Sequence, residues 1–463
     1  MIIQGDQVQL PEILLDLTQI TSSNQPLYLV GGAVRDYLLG RSCKDYDIVC
    51  SQEARKAARN FADQMHGAFF TLDEARQTYR VLIGSDSDQK TMIDFATMRG
   101  NSIEEDLAAR DFTINAMAID LNAPNRIIDP HKGGRDLQEK WLRPVSADSF
   151  TADPLRVIRA IRYAVNLDLK LEPETSGMIR SSVGELEHVS AERKRDELFK
   201  ILDGKNIHTS LSLMQHFHVL EHFPLLVNDD FARVQSLSRV LEELLGWLTG
   251  TTEIEKQAAF HQVSLFVQLQ KYEENFREHF LVENSASRTR KALLFLTALL
   301  DTKSDEMQER NFEALALSVE ELNCIMNFHR GYAECARLLH SSERPTAVEI
   351  YDFYRLTASS GVDLVVSNLA EYRTRIGAEF SNNEWLQRLT LAETLLKAWW
   401  EQPELIRPVP LLDGDEIIQS GQLPPGPIIG EILEALVYMQ IAGSVKTKKE
   451  AFAWLASWLD KRK

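Results

Sequence analysis

LYLVGGAVRDYLLGRSCKDYDIV, residues 27–49, decides how the rest of the chain is read. Its apolar opening, Leu27–Val30, has the length and composition of a buried strand and stops at a glycine pair, Gly31-Gly32. A helix is expected over Ala33–Leu39, closed by Gly40, the residue favoured just past a helix end. After a short loop, Lys44-Asp45-Tyr46-Asp47-Ile48-Val49 alternates polar and apolar positions. Residues two apart on a strand share a face, so Asp45 and Asp47 present paired carboxylates. Such a pair repels itself unless a cation lies between the oxygens, and hard divalent ions such as Mg²⁺ prefer oxygen ligands. Glycines let backbone N–H groups approach an anion closely, and a helix start favours phosphate. Asp-x-Asp alone is usually a solvated turn, and Gly-Gly alone a tight one. In this order and spacing they point to metal-assisted chemistry at a phosphate.

Outward from this stretch, residues 1–145 mix strands and helices. Glu53–His66 has helical spacing and ends at Gly67, and β-type runs follow at Ala68–Leu72, Thr78–Ile83 and Thr91–Ala96. From about residue 146 strand signals nearly vanish and helical patterns continue to the end. Breaks fall near Gly204, Pro224, Asn284–Ser287, Ser341–Pro345 and Pro424–Pro427. The expected fold class is therefore α+β: a mixed sheet with helices in an N-terminal head, then an all-α remainder. The expected domains are 1–145, a head; 146–205, a helical neck; 206–345, a helical body; and 346–463, a helical tail. No internal repeat or low-complexity segment stands out.

Further polar positions are singled out by their settings. Asp94 is a carboxylate inside the otherwise apolar run Met92-Ile93-Asp94-Phe95-Ala96. Downstream of an Asp-x-Asp pair it is expected to be a third active-site carboxylate rather than an edge residue facing water. In Arg110-Asp111-Phe112-Thr113-Ile114-Asn115-Ala116-Met117-Ala118, the guanidinium of Arg110 suits phosphate oxygens. Asp111 and Asn115 suit ribose hydroxyls, although Asp111 reads equally well as a helix N-terminal residue. In Asp153-Pro154-Leu155-Arg156-Val157-Ile158-Arg159-Ala160-Ile161-Arg162, Pro154 fits the first turn of a helix. Arg156, Arg159 and Arg162 then form a cationic stripe, with Arg162 expected to be solvated. Asp153 and Arg156, one turn apart, can address one planar group. A carboxylate accepts from an exocyclic amino group and an arginine donates to a ring nitrogen, a polarity that cytosine and adenine match. Uracil and guanine would leave a buried group unpaired, at about 1–3 kcal/mol each.

Taken together, Gly31-Gly32-Ala33-Val34-Arg35-Asp36, Leu39-Gly40 and Asp45-Tyr46-Asp47 resemble the signature of polymerase-β-type nucleotidyltransferases. The 110–118 run, Ile128-Asp129-Pro130 with Gly133-Gly134-Arg135-Asp136-Leu137, the 153–162 segment and Ser190–Leu198 are similar to the successive motifs of class II tRNA nucleotidyltransferases (CCA-adding enzymes) and bacterial poly(A) polymerases. In the 153–162 segment Ala152 replaces the family's usual Glu before Asp153. The resemblance implies a template-independent nucleotidyltransferase acting on the tRNA 3′ end and acceptor arm, with CTP and ATP as substrates. It implies Mg²⁺ held by Asp45, Asp47 and Asp94 as catalytic carboxylates. It implies nucleotide binding by Gly31, Gly32, Arg35, Arg110, Asp111, Asn115, Asp153, Arg156 and Arg159. The third motif, including Asp136, and the Arg193/Glu197 pair are expected to be structural.

A subtype expectation follows. Relatives that finish with A carry a flexible loop between the third carboxylate and the second motif, whereas here only Phe95–Ala109 intervenes. The short link resembles CC-adding specialists, with poly(A) polymerase or A-adding activity as the alternative and a non-catalytic RNA-binding protein as a more distant one. Near the end, Pro425-Gly426-Pro427 opens a helix, with Lys446, Lys448 and Lys449 close by, as a candidate phosphate contact or a plain cap. Thr289–Asp301 resembles the approach to a phosphohydrolase His-Asp dyad, but Asp301 is followed by Thr302, so no such activity is expected. His216, His218 and His222 are expected to pack rather than to hold a metal.

The totals constrain this reading. A formal charge of −17 argues against a protein coated in basic surface, while leaving room for a local basic patch that holds RNA phosphates. Cys43, Cys50, Cys324 and Cys335 form no Cys-x-x-Cys pair and are expected to be reduced thiols. MIIQGDQVQL has no basic-then-apolar pattern, and the longest apolar run, Ala292–Leu300, falls short of the ~20 residues that span a bilayer. A cytoplasmic protein with no membrane and no DNA partner is expected.

Overall fold

The computed structural model describes residues 10–20, 26–84, 91–124, 126–223, 230–253, 258–284, 288–300, 315–376 and 381–461. The chain divides into two compact units: residues 1–197 with 213–222, and 198–212 with 223–463.

Unit one is built on a seven-stranded sheet in the order β3-β4-β5-β2-β1-β6-β7. The strands are β1 (Leu27–Val30), β2 (Asp45–Cys50), β3 (Ala68–Asp73), β4 (Thr78–Ile83), β5 (Thr91–Thr97), β6 (Ala118–Asp120) and β7 (Ile127–Ile128). Helix α1 (Glu12–Ile20) precedes the sheet, α2 (Gly32–Leu38) follows β1, and α3 (Ala54–Gln64) follows β2. Every neighbouring pair is antiparallel except β2 and β5, which run parallel with Asp47 opposite Asp94. A parallel pair needs a long crossover, here α3 and the β3–β4 hairpin.

Alternation then sorts the side chains. Tyr46, Ile48, Val81, Ile93 and Phe95 are buried on the face that α3 covers, where the Phe61 and Phe95 ring centroids lie 6.0 Å apart. Burying each such phenylalanine is worth about 1.5–3 kcal/mol. Asp45, Asp47, Asp94 and, on β4, Arg80 occupy the other face, because Arg80 is the register partner of Asp94. A slip of one residue would drive the carboxylates into the apolar layer, so the burial pattern also fixes the polar face.

Beyond the sheet, α4 (Ile103–Ala108), α5 (Gly133–Glu139), α6 (Ser149–Ala152), α7 (Arg156–Asn166), α8 (Pro173–Ser182) and α9 (Ala191–Leu202, which runs on past the unit boundary) complete this part. Pro154 lies ahead of the helix it was expected to enter. Asp153 before it is extended, as a residue preceding proline prefers, and Pro154 and Leu155 form a tight turn into α7. Gly133 packs so closely on the 113–115 turn that a Cβ there would stand 2.0 Å from the Thr113 carbonyl oxygen.

Unit two has no strand among its described residues. Ser318/Glu321, Thr346/Glu349, Asp413/Glu416 and Thr447/Glu450 each close a reciprocal cap at a helix start, which explains why those helices begin where they do. Buried ion pairs, Arg288–Glu321 and Arg290–Asp363, tie its helices together. The last helices enclose a separate apolar cluster around Leu412, Ile432, Leu436 and Leu455. Pro427 opens its helix with Gly426 as the cap residue, as expected, and Lys448 is paired with Glu416. Asp301 and Thr302 lie outside the described residues. No helix among the described residues is long and apolar enough to cross a membrane.

Candidate active site

The site begins where β1 stops. Gly31 has φ +74°, a left-handed conformation that side chains rarely adopt, and this turns the chain sharply into α2. Its missing side chain is where two groups meet: a Cβ would lie 2.9 Å from Arg110 Nη1 and 3.2 Å from Asp47 Oδ2. At Gly32 a Cβ would lie 3.4 Å from Arg35 Nη2. Guanidinium groups thus approach both glycines. The Gly31 N–H itself donates to the Met117 carbonyl (3.3 Å), so Gly31 contributes space at the site rather than a donor.

Arg110, just past the end of α4, is aimed by a residue of that helix. Its Nε and Nη2 donate to the buried Asp106 carboxylate, four residues earlier, at 3.3 and 3.2 Å. Nη1 is left pointing at Gly31. The i,i+4 spacing of Asp106 and Arg110 is visible in the sequence, and it is the signal that would have identified Asp106.

The side-chain carboxylates of Asp45 and Asp47 accept no hydrogen bond from any described residue, and both carboxyls are pushed above the usual range. For Asp45 the main cause is desolvation, with Arg80 opposing and Asp94 reinforcing. For Asp47 it is again desolvation, opposed first by Arg110 and reinforced by Asp94 and Asp45. Asp47 keeps more than a third of its surface open to solvent, so the effect comes from protein crowded around an open carboxylate rather than from full enclosure. Two oxygen-donor side chains without protein donors, on one face and each pushed toward protonation by desolvation and by Asp94, match the donor set that a hard divalent cation takes.

Asp94 is oriented differently. Its two oxygens accept from Arg80 Nε and Nη2, each at 2.8 Å, in a fork-to-fork pair. Arg80 is held more firmly in its charged form, first by that hydrogen bond and further by the fields of Asp94, Asp45 and Asp47. Among the described residues, no three His, Cys, Asp or Glu side chains are gathered as a ready ion cage. The sheet therefore brings the three carboxylates to one face, while the side chains leave two open and one clamped. Arg80 was read only as part of a strand. Its signal was a lone charge on the outward beat of Thr78–Ile83.

A second constellation lies behind the glycines. Arg35, 9% exposed, donates to Asp36 and, through Nη1 at 2.7 Å, to Asn115 Oδ1. Asn115 Nδ2 donates to Asp111 Oδ1, which also accepts from the Phe112 N–H. Asp111 Oδ2 takes Arg159 Nε at 2.9 Å and Nη2 at 2.5 Å. Burial works against the Asp111 charge, but Arg159, Asn115 and the Phe112 N–H outweigh it and hold the carboxyl below the usual range. Arg159 and Arg162 both reach Glu197, and Arg35, Arg159 and Arg162 gather over the Tyr163 ring. This corrects the expectation of a solvated Arg162: its side chain is 13% exposed and its Nε lies 2.8 Å from Glu197. Helical periodicity showed the stripe but not the acidic residue that covers it, 35 positions away.

The structure places Asp153 and Arg156 near each other but gives each another partner. Asp153 accepts from Arg193 Nη2 at 2.8 Å. Arg156 donates to the carbonyls of Ala109, Arg110 and Ser149, tying α7 to the residue that faces Gly31. Arg193 and Glu197 thus both reach beyond their own helix. Asp136 accepts from Thr113 Oγ1 at 2.6 Å and from Arg143, bracing the 113–115 turn. His216 meets Arg180, and His218 faces Glu221.

The sequence matches the poly A polymerase head domain over residues 27–143 and a probable RNA and SrmB-binding site of polymerase A over residues 168–229. It is 28% identical over 428 residues to a CC-adding tRNA nucleotidyltransferase of Synechocystis sp., covering 92% of each chain. It is 29% identical over 457 residues to an A-adding tRNA nucleotidyltransferase of Deinococcus radiodurans, covering 93% of this chain and 95% of that one. A solved CCA-adding enzyme in complex with ATP is similar in structure, with a TM-score of 0.65 and 26% identity over 97% of this chain and 95% of that one.

Proposed function

The chain belongs to the tRNA nucleotidyltransferase and poly(A) polymerase family, and from that premise we propose that it adds cytidylates to the 3′ end of tRNA from CTP, without a nucleic-acid template, in the cytoplasm. The observation that carries this reading is the meeting of Asp47 and Arg110 at the side-chain position that Gly31 lacks, one strand from Asp94.

In this reading the triphosphate lies along the glycine pair, between Arg110 and Arg35. A guanidinium matches phosphate oxygens in geometry and charge. Asp106 keeps Arg110 in that pose. The terminal 3′-hydroxyl of the RNA attacks the α-phosphate in line, the P–O bond to the β-phosphate breaks, and pyrophosphate leaves. Asp45 and Asp47, joined by Asp94, would hold a divalent cation of the Mg²⁺ class, which would supply charge that favours ionising the hydroxyl and releasing pyrophosphate. Asp111 and Asn115 set the ribose edge, anchored from behind by Arg159. Asp153 and Arg156 read the base, with Arg193 steadying the carboxylate. The helical unit holds tRNA through phosphates and shape, as RNA duplexes are generally bound.

Two additions rather than three are favoured by the link from β5 to α4. Met98–Ser102 is all that joins them, and it is pinned at both ends: the Met98 N–H donates to the Cys50 carbonyl at 2.8 Å, while Ser102 Oγ caps the Glu105 N–H and Glu105 accepts from the Asn101 N–H. A second reading, A addition, is favoured by the similarity to the Deinococcus enzyme. Incubating two substrates, tRNA that lacks all three terminal nucleotides and tRNA that lacks only the last, with labelled CTP and ATP separates the two. The CC reading expects growth of the first by two cytidylates and a stop, with the second unchanged. A product ending in A from either substrate overturns the subtype, and no incorporation into either by wild type overturns the function.

A further inference from the structure

We propose that Arg80 is a positioning residue that competes with the divalent cation for Asp94, so that the third carboxylate joins the ion only when this guanidinium lets go. The inference rests on the metal assignment above and adds a residue to which no role was given.

Register makes the competition unavoidable. Arg80 and Asp94 are direct partners across β4 and β5, and Asp94 is the direct partner of Asp47 across β5 and β2. All these side chains stand on the sheet face away from α3. The guanidinium is therefore a fixed monocation beside a patch of three carboxylates, doing for Asp94 what an ion would otherwise do. Its fork occupies both Asp94 oxygens at 2.8 Å, which accounts for the lack of a three-carboxylate cage among the described residues. Asp45 and Asp47, with no donor, are left to take the ion first.

A plain bracing role, in which Arg80 simply aims Asp94 at the ion, predicts the opposite sign on removal. That makes the two accounts separable without measuring catalysis. Calorimetric titration of Mn²⁺ into the full-length protein, without nucleotide, would compare wild type, Arg80→Gln and Arg80→Lys, with Asp47→Asn as the site control. Removing a nearby positive charge and a rival for one ligand should tighten Mn²⁺ binding about tenfold in Arg80→Gln. Arg80→Lys, which keeps the charge and loses the fork, should fall in between. Melting adds a second readout. Arg80→Gln should unfold at lower temperature than wild type in EDTA, where its carboxylates face one another uncompensated, and recover in Mn²⁺. If wild type binds Mn²⁺ in an Asp47-dependent way and Arg80→Gln binds equally or more weakly, the competition is overturned and the function stands. If neither protein binds the ion, both readings fall.

Discussion

The side chain that Gly31 lacks would fall 2.9 Å from Arg110 Nη1. The contact is too short for a Cβ, and the φ of +74° already disfavours one by about 1–2 kcal/mol. Gly31→Ala should therefore push Arg110 and Asp47 apart at the point where the phosphate is proposed to bind. The expected outcome is a loss of about 100-fold in single-turnover incorporation, the scale of a one-ångström misplacement, with only a modest drop in melting temperature. Near-normal incorporation by a folded variant would remove the glycine from the site.

Asp47 sits in a field that resists its charge, so function and stability should part there. Its carboxyl is raised above the unfolded value, chiefly by desolvation. For a group raised in this way, the favourable contribution is complete below the unfolded value, about pH 4, and is lost as pH rises through the higher folded value. At neutral pH and without divalent ions the charge therefore works against the fold. Asp47→Asn should melt higher than wild type in EDTA at pH 7, the difference should close below about pH 4, and incorporation should vanish. An asparagine variant less stable than wild type in EDTA would contradict the electrostatics.

Asp111 is the reverse case. Its folded value is lowered: burial opposes the charge, but Arg159 and its hydrogen bonds prevail. Its contribution is therefore present above the unfolded value near pH 4 and lost as pH falls through the lower folded one. Asp111→Asn should leave the half-buried Arg159 with a weaker partner there and only Glu197 as its acidic partner, and cost about 2–3 kcal/mol in urea unfolding at pH 7. The gap between variant and wild type should narrow as both are taken toward pH 2–3. A constant gap across that range would mean that the charge of Asp111 is not what anchors α7.

Much of the head was legible because its signals are local. A strand ending in two glycines, an Asp-x-Asp on alternating positions and a lone aspartate in an apolar run each occupy a few adjacent residues, and β1, β4 and the acidic strand starts fall where those patterns put them. What escaped were partners brought together by the fold. Arg80 finds Asp94 across a hairpin, Arg193 finds Asp153 from 40 positions away, and Glu197 covers Arg162 from another helix. Periodicity tells which face a residue shares, not what lies opposite. For that reason Arg162 read as solvated, and the contacts of Asp153 with Arg193 and of Arg156 with the Ala109, Arg110 and Ser149 carbonyls were not visible. Asp106 is the exception among the missed residues, since its partner is one helical turn away.

The parallel rung that seats Asp47 beside Asp94 has a practical corollary for anyone labelling this molecule. Their spacing is dictated by hydrogen bonding between two strands, not by the path the chain takes from one to the other. The Glu74–Gln77 tip of the intervening hairpin is thus a natural graft point. A dye or short epitope inserted there would ride on the protein past the end of β5, three residues from Asp94, while the Asp47–Asp94 rung keeps its dimensions.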